Sequence, residues 1–114
     1  MPAPAATGPI RLFVYGTLLG EPQLVAVTGR TFARRPATLA GFVRIAPAGG
    51  YPYVVPRPGA SVDGMLLEGL DADALAALDA YEDEGRLYVR QRVTVSADGR
   101  AIPCEVYVGR DVAR

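Results

Sequence analysis

Apolar residues in this chain recur at every second position more often than at the spacing of a helix. The clearest run covers residues 10–15, where both alternating sets of positions are largely apolar or aromatic. This pattern predicts a central strand that is buried on both faces. Gly16 ends the strand, and successive backbone amides in a glycine turn can point into one concavity that binds a carboxylate. A plain turn after a strand is the alternative interpretation of Gly16.

Further strands are predicted downstream. They cover residues 37–45, 51–55, 61–70, 87–96 and 101–108. Pro56–Gly59 predict a turn, Gly64 allows a bulge or the close approach of another strand, and Asp98–Gly99 predict a two-residue hairpin. The positions expected to face inward on the last two strands are Leu87, Val89, Val93, Val95, Ile102, Cys104, Val106 and Val108.

Only one substantial helix is predicted. Asp71 is a good N-cap, the following residues are strong helix formers, and Gly85 can end the helix. Its apolar stripe consists of Ala74, Leu75, Leu78 and Tyr81. A short helix is also predicted over residues 21–27, because Pro22 is tolerated at a first helical position and Gly29 can close the far end.

These elements predict an α+β fold. We expect a mostly antiparallel, about six-stranded, closed or half-closed β-barrel with one substantial α-helix and short helical segments. A chain of 114 residues fits one domain. We place that domain at residues 10–110, after a flexible N-terminal tail at residues 1–9 that is rich in proline, alanine and glycine.

The composition limits the chemistry. Twelve basic residues, all arginine, balance twelve acidic ones, so no basic surface for nucleic acid is predicted. The chain has neither histidine nor lysine, which excludes the Ser-His-Asp triad, imidazole metal ligands and a Schiff-base lysine. The single Cys104 and the lack of a long apolar run predict a cytoplasmic protein with no membrane partner.

Glu82 is the acidic residue whose position is unusual. It lies seven positions after Leu75 and four after Leu78, so a helix that continues this far carries it to the apolar face. Desolvation and the negative end of the helix dipole both raise the pKa of a carboxyl group in such a place, toward the range of a general acid or base. If the helix frays before Glu82, the residue is an ordinary surface acid.

Three motifs in order resemble the gamma-glutamyl cyclotransferase superfamily, most closely its small gamma-glutamylamine cyclotransferase-like proteins. They are FVYGTL, then YPYVVPRPG followed by VDGMLLEGL, and finally LDAYEDEGRLYVRQRVTV. The resemblance implies a β-barrel-like sheet with flanking helices. It also implies a reaction in which the α-amine of a γ-glutamyl compound attacks its own γ-carbonyl, giving 5-oxoproline and a free amine. No metal or cofactor is needed for that reaction.

The resemblance also implies a site. Tyr15, Gly16, Thr17 and Leu18 match the family's YG[ST]L loop, whose backbone amides would hold the α-carboxylate of a small-molecule γ-glutamyl substrate. Glu82 matches the glutamate of the LDxYE segment and would be the catalytic base. A desolvated carboxylate can accept a proton from the α-ammonium and pass it to the departing nitrogen.

Other residues near these motifs are open to two interpretations. Tyr88 and Tyr107 are candidates for substrate binding, although strand tyrosines more often pack with a solvated hydroxyl. Glu84 rivals Glu82 as the base, because this chain has YEDEG where many relatives have YEG. Arg90 is expected to be structural and to pair with acids across the sheet.

Two function classes follow. The first is an enzyme of the gamma-glutamyl cyclotransferase type, an amine-releasing lyase or transferase. The second is a non-catalytic module of the same fold that binds a carboxylate. A third, a structural domain without a pocket, requires the glycine loop and the carboxylate to lie far apart. The sequence leaves the identity of the amine and the oligomeric state open.

Overall fold

The computed structural model describes residues 10–15, 20–46, 48, 52–81 and 88–109. This part of the chain forms β1 (Ile10–Val14), α1 (Glu21–Thr28), β2 (Ala33–Ile45), β3 (Tyr53–Leu70), α2 (Ala72–Tyr81), β4 (Tyr88–Ala97) and β5 (Arg100–Gly109). The strands adjoin in the order β1, β3, β2, β4, β5, and the ring closes into a barrel where β5 meets β1. The β1–β5 pair is parallel and the other pairs are antiparallel. The predicted α+β fold with a mostly antiparallel barrel is confirmed.

The barrel has two hydrophobic cores, and β1 contributes to both. Phe13 and Tyr15 belong to an interior core built only from strand residues and Tyr15. Leu12 and Val14 face the opposite way, into an outer core that includes α1 and α2 residues. Because β1 also pairs with β3 on one side and β5 on the other, the predicted central strand buried on both faces is confirmed.

β3 is longer than the sequence pattern predicts. It continues from Tyr53 to Leu70, so residues 53–55 and 61–70 of the two predicted strands belong to one strand that includes Pro56–Gly59. Tyr51, the first residue of the predicted strand, lies outside the described residues. The predicted turn at these four residues is therefore wrong. The described residues form five strands where about six were predicted.

A bulge in the β2–β3 pairing accommodates Pro56 within the sheet. The β2–β3 register shifts between Ala40 and Phe42. Gly41 and Gly59 both have a φ of +83°, a conformation that glycine adopts without steric cost. Pro56 therefore lies beside a bulge, where the loss of a backbone donor is tolerated.

The helix caps follow the sequence prediction. Gly29 takes a left-handed conformation after α1, and its N–H donates to the Val25 carbonyl oxygen at 2.7 Å. Before α2, the Asp71 carboxylate accepts a hydrogen bond from the Ala74 N–H at 2.8 Å. Neither helix within the described residues is long and apolar enough to cross a membrane.

The predicted apolar stripe of α2 ends before Tyr81. Ala74, Leu75 and Leu78 are buried, whereas Tyr81 is 40% exposed. At about 100° per residue, Tyr81 is rotated by roughly 65° from the centre of the stripe that the other three define. The prediction that Tyr81 is part of the buried stripe is therefore wrong.

The inward face of β4 is covered over only part of the strand. Val95 is buried and Val93 half-buried, but Val89, which was predicted to face inward, is 37% exposed. Among the described residues, Thr38 and Ser96 form the single β2–β4 pair, and they lie near the far end of β4. Toward its start β4 therefore separates from β2, and Val89 is exposed to solvent.

Candidate active site

The predicted site lies partly outside the described residues. Tyr15, Tyr88 and Tyr107 are described, and the residues singled out from the sequence that are not described are Gly16, Thr17, Leu18, Glu82, Glu84, Gly85 and Leu87. The N-terminal tail at residues 1–9 also lies outside the description. The meeting of loop and base stays a prediction, and the structure informs it through the residues that lead into both segments.

The topology brings these leading residues to one end of the barrel. β1 is parallel to β5, so Tyr15 lies at the same end as Gly109, the last residue of β5. Tyr88 pairs with Gly109 and lies there too. α2 begins after β3 at the opposite end and runs back, so that Asp79 in its last turn contacts Tyr107 of β5. The residues that precede the predicted loop and the predicted base therefore approach the same end.

Tyr15 ties the end of β1 to β5. Its hydroxyl donates a hydrogen bond of 2.6 Å to the backbone carbonyl oxygen of Tyr107. The Tyr15 side chain belongs to the interior core, and its ring stacks on Phe13 with 6.4 Å between ring centroids. The residue that immediately precedes Gly16 is thus fixed by packing and by a hydrogen bond.

Tyr107 faces the other way and reaches α2. The residue is 3% exposed and belongs to the outer core. The Tyr107 hydroxyl donates to Asp79 Oδ1 at 2.6 Å. Its role in substrate binding remains a prediction, and the described contact of this hydroxyl is with a carboxylate of α2.

Arg90 completes a cluster around the same carboxylate. It is the β4 residue paired with Tyr107, and its Nε and Nη2 atoms donate to the two oxygens of Asp79 at 2.8 and 3.1 Å. This bidentate geometry is the strong form of an arginine–carboxylate contact. We refer to Asp79, Arg90 and Tyr107 as the Asp79 cluster.

A second acid, Glu105, lies beside the Asp79 cluster. Arg90 Nη1 also donates to Glu105 Oε1 at 3.2 Å, and Arg92 Nη1 lies 3.6 Å from Glu105 Oε2. The hydrogen bonds to Asp79 raise the pKa of the Arg90 guanidinium above its ordinary value, despite partial burial. The prediction that Arg90 pairs with acids across the sheet is confirmed for Glu105.

Asp79 is the residue that sequence reasoning missed. It is the aspartate of the LDxYE segment, in which only Glu82 was given a role. The pairing of its two partners, Arg90 and Tyr107, could have been predicted. A two-residue turn at Asp98–Gly99 fixes the β4–β5 register and places these residues opposite each other. Which turn of α2 packs on the Arg90–Tyr107 pair depends on how the barrel closes. No local sequence pattern predicts that contact.

Tyr88 makes a second hydrogen bond between elements at this end of the barrel. Its hydroxyl donates to the Pro52 carbonyl oxygen at 3.1 Å, which links the start of β4 to the residue before β3. Nearby, the ring of Tyr53 packs so closely on Gly109 that a Cβ atom there would overlap it. Tyr88 is half-buried and packs against the outer core, and a role in substrate binding remains a prediction.

No group of three or more acidic or cysteine side chains in the described part of the chain is placed to hold a metal ion. An open hollow of about 400 Å³ is lined by Arg11, Ala33, Glu68 and Gly69, toward the opposite end of β2 and β3.

Comparison with known proteins identifies the family. The sequence model of the family described as "Gamma-glutamyl cyclotransferase, AIG2-like" matches residues 12–114. The chain belongs to this family. The superfamily resemblance drawn from the three sequence motifs is therefore confirmed.

Individual family relatives are similar at moderate identity. AIG2-like protein D of Arabidopsis thaliana is 34% identical over 85 residues, which cover 74% of this chain and 55% of that protein. AIG2-like protein C of the same organism is 33% identical over 102 residues, covering 88% and 59%. The chain thus spans less than two thirds of the length of these curated relatives.

Solved structures carry the same fold. The solution structure of an Arabidopsis thaliana protein superimposes with a TM-score of 0.83 at 28% identity, covering 96% of this chain and 74% of that one. The two proteins therefore share the fold over nearly the whole length of this chain.

Proposed function

We propose that the protein is a cyclotransferase that releases an amine from a small-molecule γ-glutamyl compound and forms 5-oxoproline. The observation that carries the proposal is the double role of Tyr107. Its carbonyl oxygen holds Tyr15, which precedes the predicted carboxylate loop, and its hydroxyl holds Asp79, three positions before Glu82. Membership of the cyclotransferase family supports the same reaction class.

The reaction makes modest demands on the protein. The α-amine and the γ-carbonyl belong to one molecule, so the enzyme mainly has to hold that molecule folded. In the proposed site, backbone amides of Gly16–Leu18 bind the α-carboxylate and fix one end of the substrate. The nitrogen then attacks the γ-carbonyl carbon to close a five-membered lactam, and the carbon–nitrogen bond to the leaving amine breaks.

Proton transfer is the step that needs a side chain. An α-ammonium is not a nucleophile until it loses a proton, and the departing nitrogen must gain one. In the proposal, Glu82 accepts the first proton and delivers the second, so a single carboxylate serves both halves of the reaction. If α2 continues by one residue, position 82 falls closer to the centre of its buried stripe than Tyr81 does, which favours a desolvated base.

The test is a panel of γ-glutamyl compounds with release of 5-oxoproline as the readout. The panel contains γ-glutamyl derivatives of an amino acid, a lysine side chain and a polyamine. We expect turnover of at least one member by the wild-type protein. Glu82→Gln should fold normally and lose at least about 100-fold in kcat, the usual scale of a general base. Glu84→Gln is the matched control and should retain most of its activity.

Each other outcome has a definite meaning. Loss of activity in Glu84→Gln with retention in Glu82→Gln would move the base to Glu84. Equal activity in all three proteins would exclude the carboxylate mechanism. Saturable binding of γ-glutamyl compounds without 5-oxoproline would identify the non-catalytic module instead.

A further inference from the structure

We infer that Asp79 is a positioning residue, whose carboxylate, held by Arg90 and Tyr107, fixes the last turn of α2 and so sets where the Glu82 side chain can reach. The inference rests on the proposed function, in which Glu82 is the base. It gives a role to Asp79, the aspartate of the LDxYE segment, which the family resemblance left without one. It also assigns Tyr107 a role other than substrate binding.

The hydrophobic attachment of α2 ends just before Asp79. The buried residues of the helix are Ala74, Leu75 and Leu78, and Leu78 is the last of them. Asp79 follows directly, with a side chain that is 25% exposed. The polar contact of Asp79 therefore begins where the apolar packing of α2 ends. It lies in the helix turn that immediately precedes position 82.

The contact made by Asp79 is directional. Its two oxygens accept three hydrogen bonds of 2.6–3.1 Å, two from Arg90 and one from Tyr107. The donors are paired residues on adjacent strands, so the helix is fixed to both strands of one hairpin. A bidentate guanidinium adds geometric specificity as well as attraction, which suits a contact that must fix a direction.

Tyr107 connects this contact to the other half of the proposed site. Its side chain holds α2 through Asp79, and its backbone carbonyl oxygen holds the hydroxyl of Tyr15. In a helix, positions three apart are neighbours on one face, at about 5–6 Å between Cβ atoms. One residue of β5 therefore limits the separation between the loop after Tyr15 and a base at position 82.

Three variants test the inference. Asp79→Asn keeps the size of the side chain but removes the charge and one acceptor facing Arg90. Tyr107→Phe removes the hydroxyl and leaves the carbonyl oxygen for Tyr15. The matched control is Asp71→Ala, which removes the cap at the opposite end of the same helix, more than two turns from Asp79. It weakens α2 without touching the Asp79 cluster.

Kinetics separate positioning from stability. We expect kcat to fall by about 10–100-fold in Asp79→Asn and Tyr107→Phe, because small displacements of catalytic groups are costly. KM should change by less than about threefold, since the carboxylate loop is not altered. Asp71→Ala should keep the wild-type kcat per folded molecule. A KM rise in Tyr107→Phe with unchanged kcat would instead make Tyr107 a substrate contact and overturn its positioning role.

A spectroscopic readout makes the inference independent of turnover. The chain has five glutamates, so ¹³C-labelling of their carboxyl carbons gives a simple NMR spectrum, and the Glu82 signal is the one absent from Glu82→Gln. We expect this signal to move in Asp79→Asn and Tyr107→Phe, and to stay in place in Asp71→Ala.

The two proposals fail in different ways. Wild-type protein that releases no 5-oxoproline would refute the proposed function, and the Glu82 signal alone would then decide the role of Asp79. An unmoved Glu82 signal in both cluster variants would overturn the inference whatever the kinetics. Equal losses of kcat in Asp79→Asn and Asp71→Ala would overturn it as well, because that result reduces Asp79 to a contributor to helix stability.

Discussion

Gly64 of β3 gives a sharp test of how closely β1 is held beside the candidate site. A Cβ atom at this position would lie 2.8 Å from Phe13 Cζ and closer still to the carbonyl oxygen of Val14. Carbon atoms in contact normally stay about 3.5–4.0 Å apart, so Gly64→Ala requires β1 to retreat by about 1 Å. Phe13 is fully buried in the interior core, which leaves it little room to move.

The displacement should affect both stability and activity. Inserting a methyl group into a packed core typically costs about 1–3 kcal/mol, and we expect Gly64→Ala to lie at the upper end of that range. Tyr15 follows Val14 directly, so the entry to the carboxylate loop moves with β1. A misplacement of about 1 Å can reduce a catalytic rate by roughly 100-fold. The variant should therefore lose far more activity than its loss of folded protein explains.

Urea denaturation followed by circular dichroism measures the first effect, and 5-oxoproline release per folded molecule measures the second. Gly59→Ala is the matched control, because a Cβ atom there meets nothing within 4 Å. Its φ of +83° still makes alanine unfavourable, by about 1–2 kcal/mol. The reasoning is refuted if Gly64→Ala is as stable as the wild-type protein, or if both alanine variants lose the same fraction of activity per folded molecule.

Two further predictions concern titratable groups. Partial burial of Glu68 favours its neutral form, but hydrogen bonds from Arg11 and Arg35 outweigh this and lower the pKa of Glu68. The folded pKa is then below the unfolded value of about 4.3, so this contribution to stability is present above pH ~4.3 and is lost as pH falls through the folded pKa. Thermal midpoints of wild type and Glu68→Gln should differ most above pH ~5 and converge in acid, and a constant difference would contradict this sign. Burial raises the pKa of the Cys104 thiol to about 12, so an alkylating reagent at pH ~8 should modify it only in denaturant; rapid labelling of folded protein would show that the thiol is accessible.

Local patterns predict the parts of this fold that depend on local chemistry. The N-cap at Asp71, the glycine after α1 and the hairpin at Asp98–Gly99 each follow from residues that are adjacent in sequence. The double burial of β1 could be predicted because both of its alternating sets are largely apolar. The close approach at Gly64 is also confirmed.

The errors arise where distant segments decide the outcome. Pro56–Gly59 have the composition of a turn, but they lie within β3, where Pro56 pairs with Phe42 beside the shift in the β2–β3 register. Val89 continues an apolar alternation, yet the barrel opens beside it. Asp79 stands in the LDxYE segment, but its role has no local signal, because its partners come from two strands that follow it in the chain.

The central claim is that one ligand contacts both the loop after β1 and the end of α2. The most direct test is to titrate ¹⁵N-labelled Glu82→Gln with a γ-glutamyl amine and to monitor the amide chemical shifts. This variant should bind the γ-glutamyl amine without converting it. The account predicts that the amides of Gly16–Leu18 and those on either side of position 82 shift together with a single dissociation constant, while Asp98 and Gly99 at the opposite end stay unchanged. Shifts in only one of the two segments, or shifts centred on the Asp98–Gly99 turn, would contradict it.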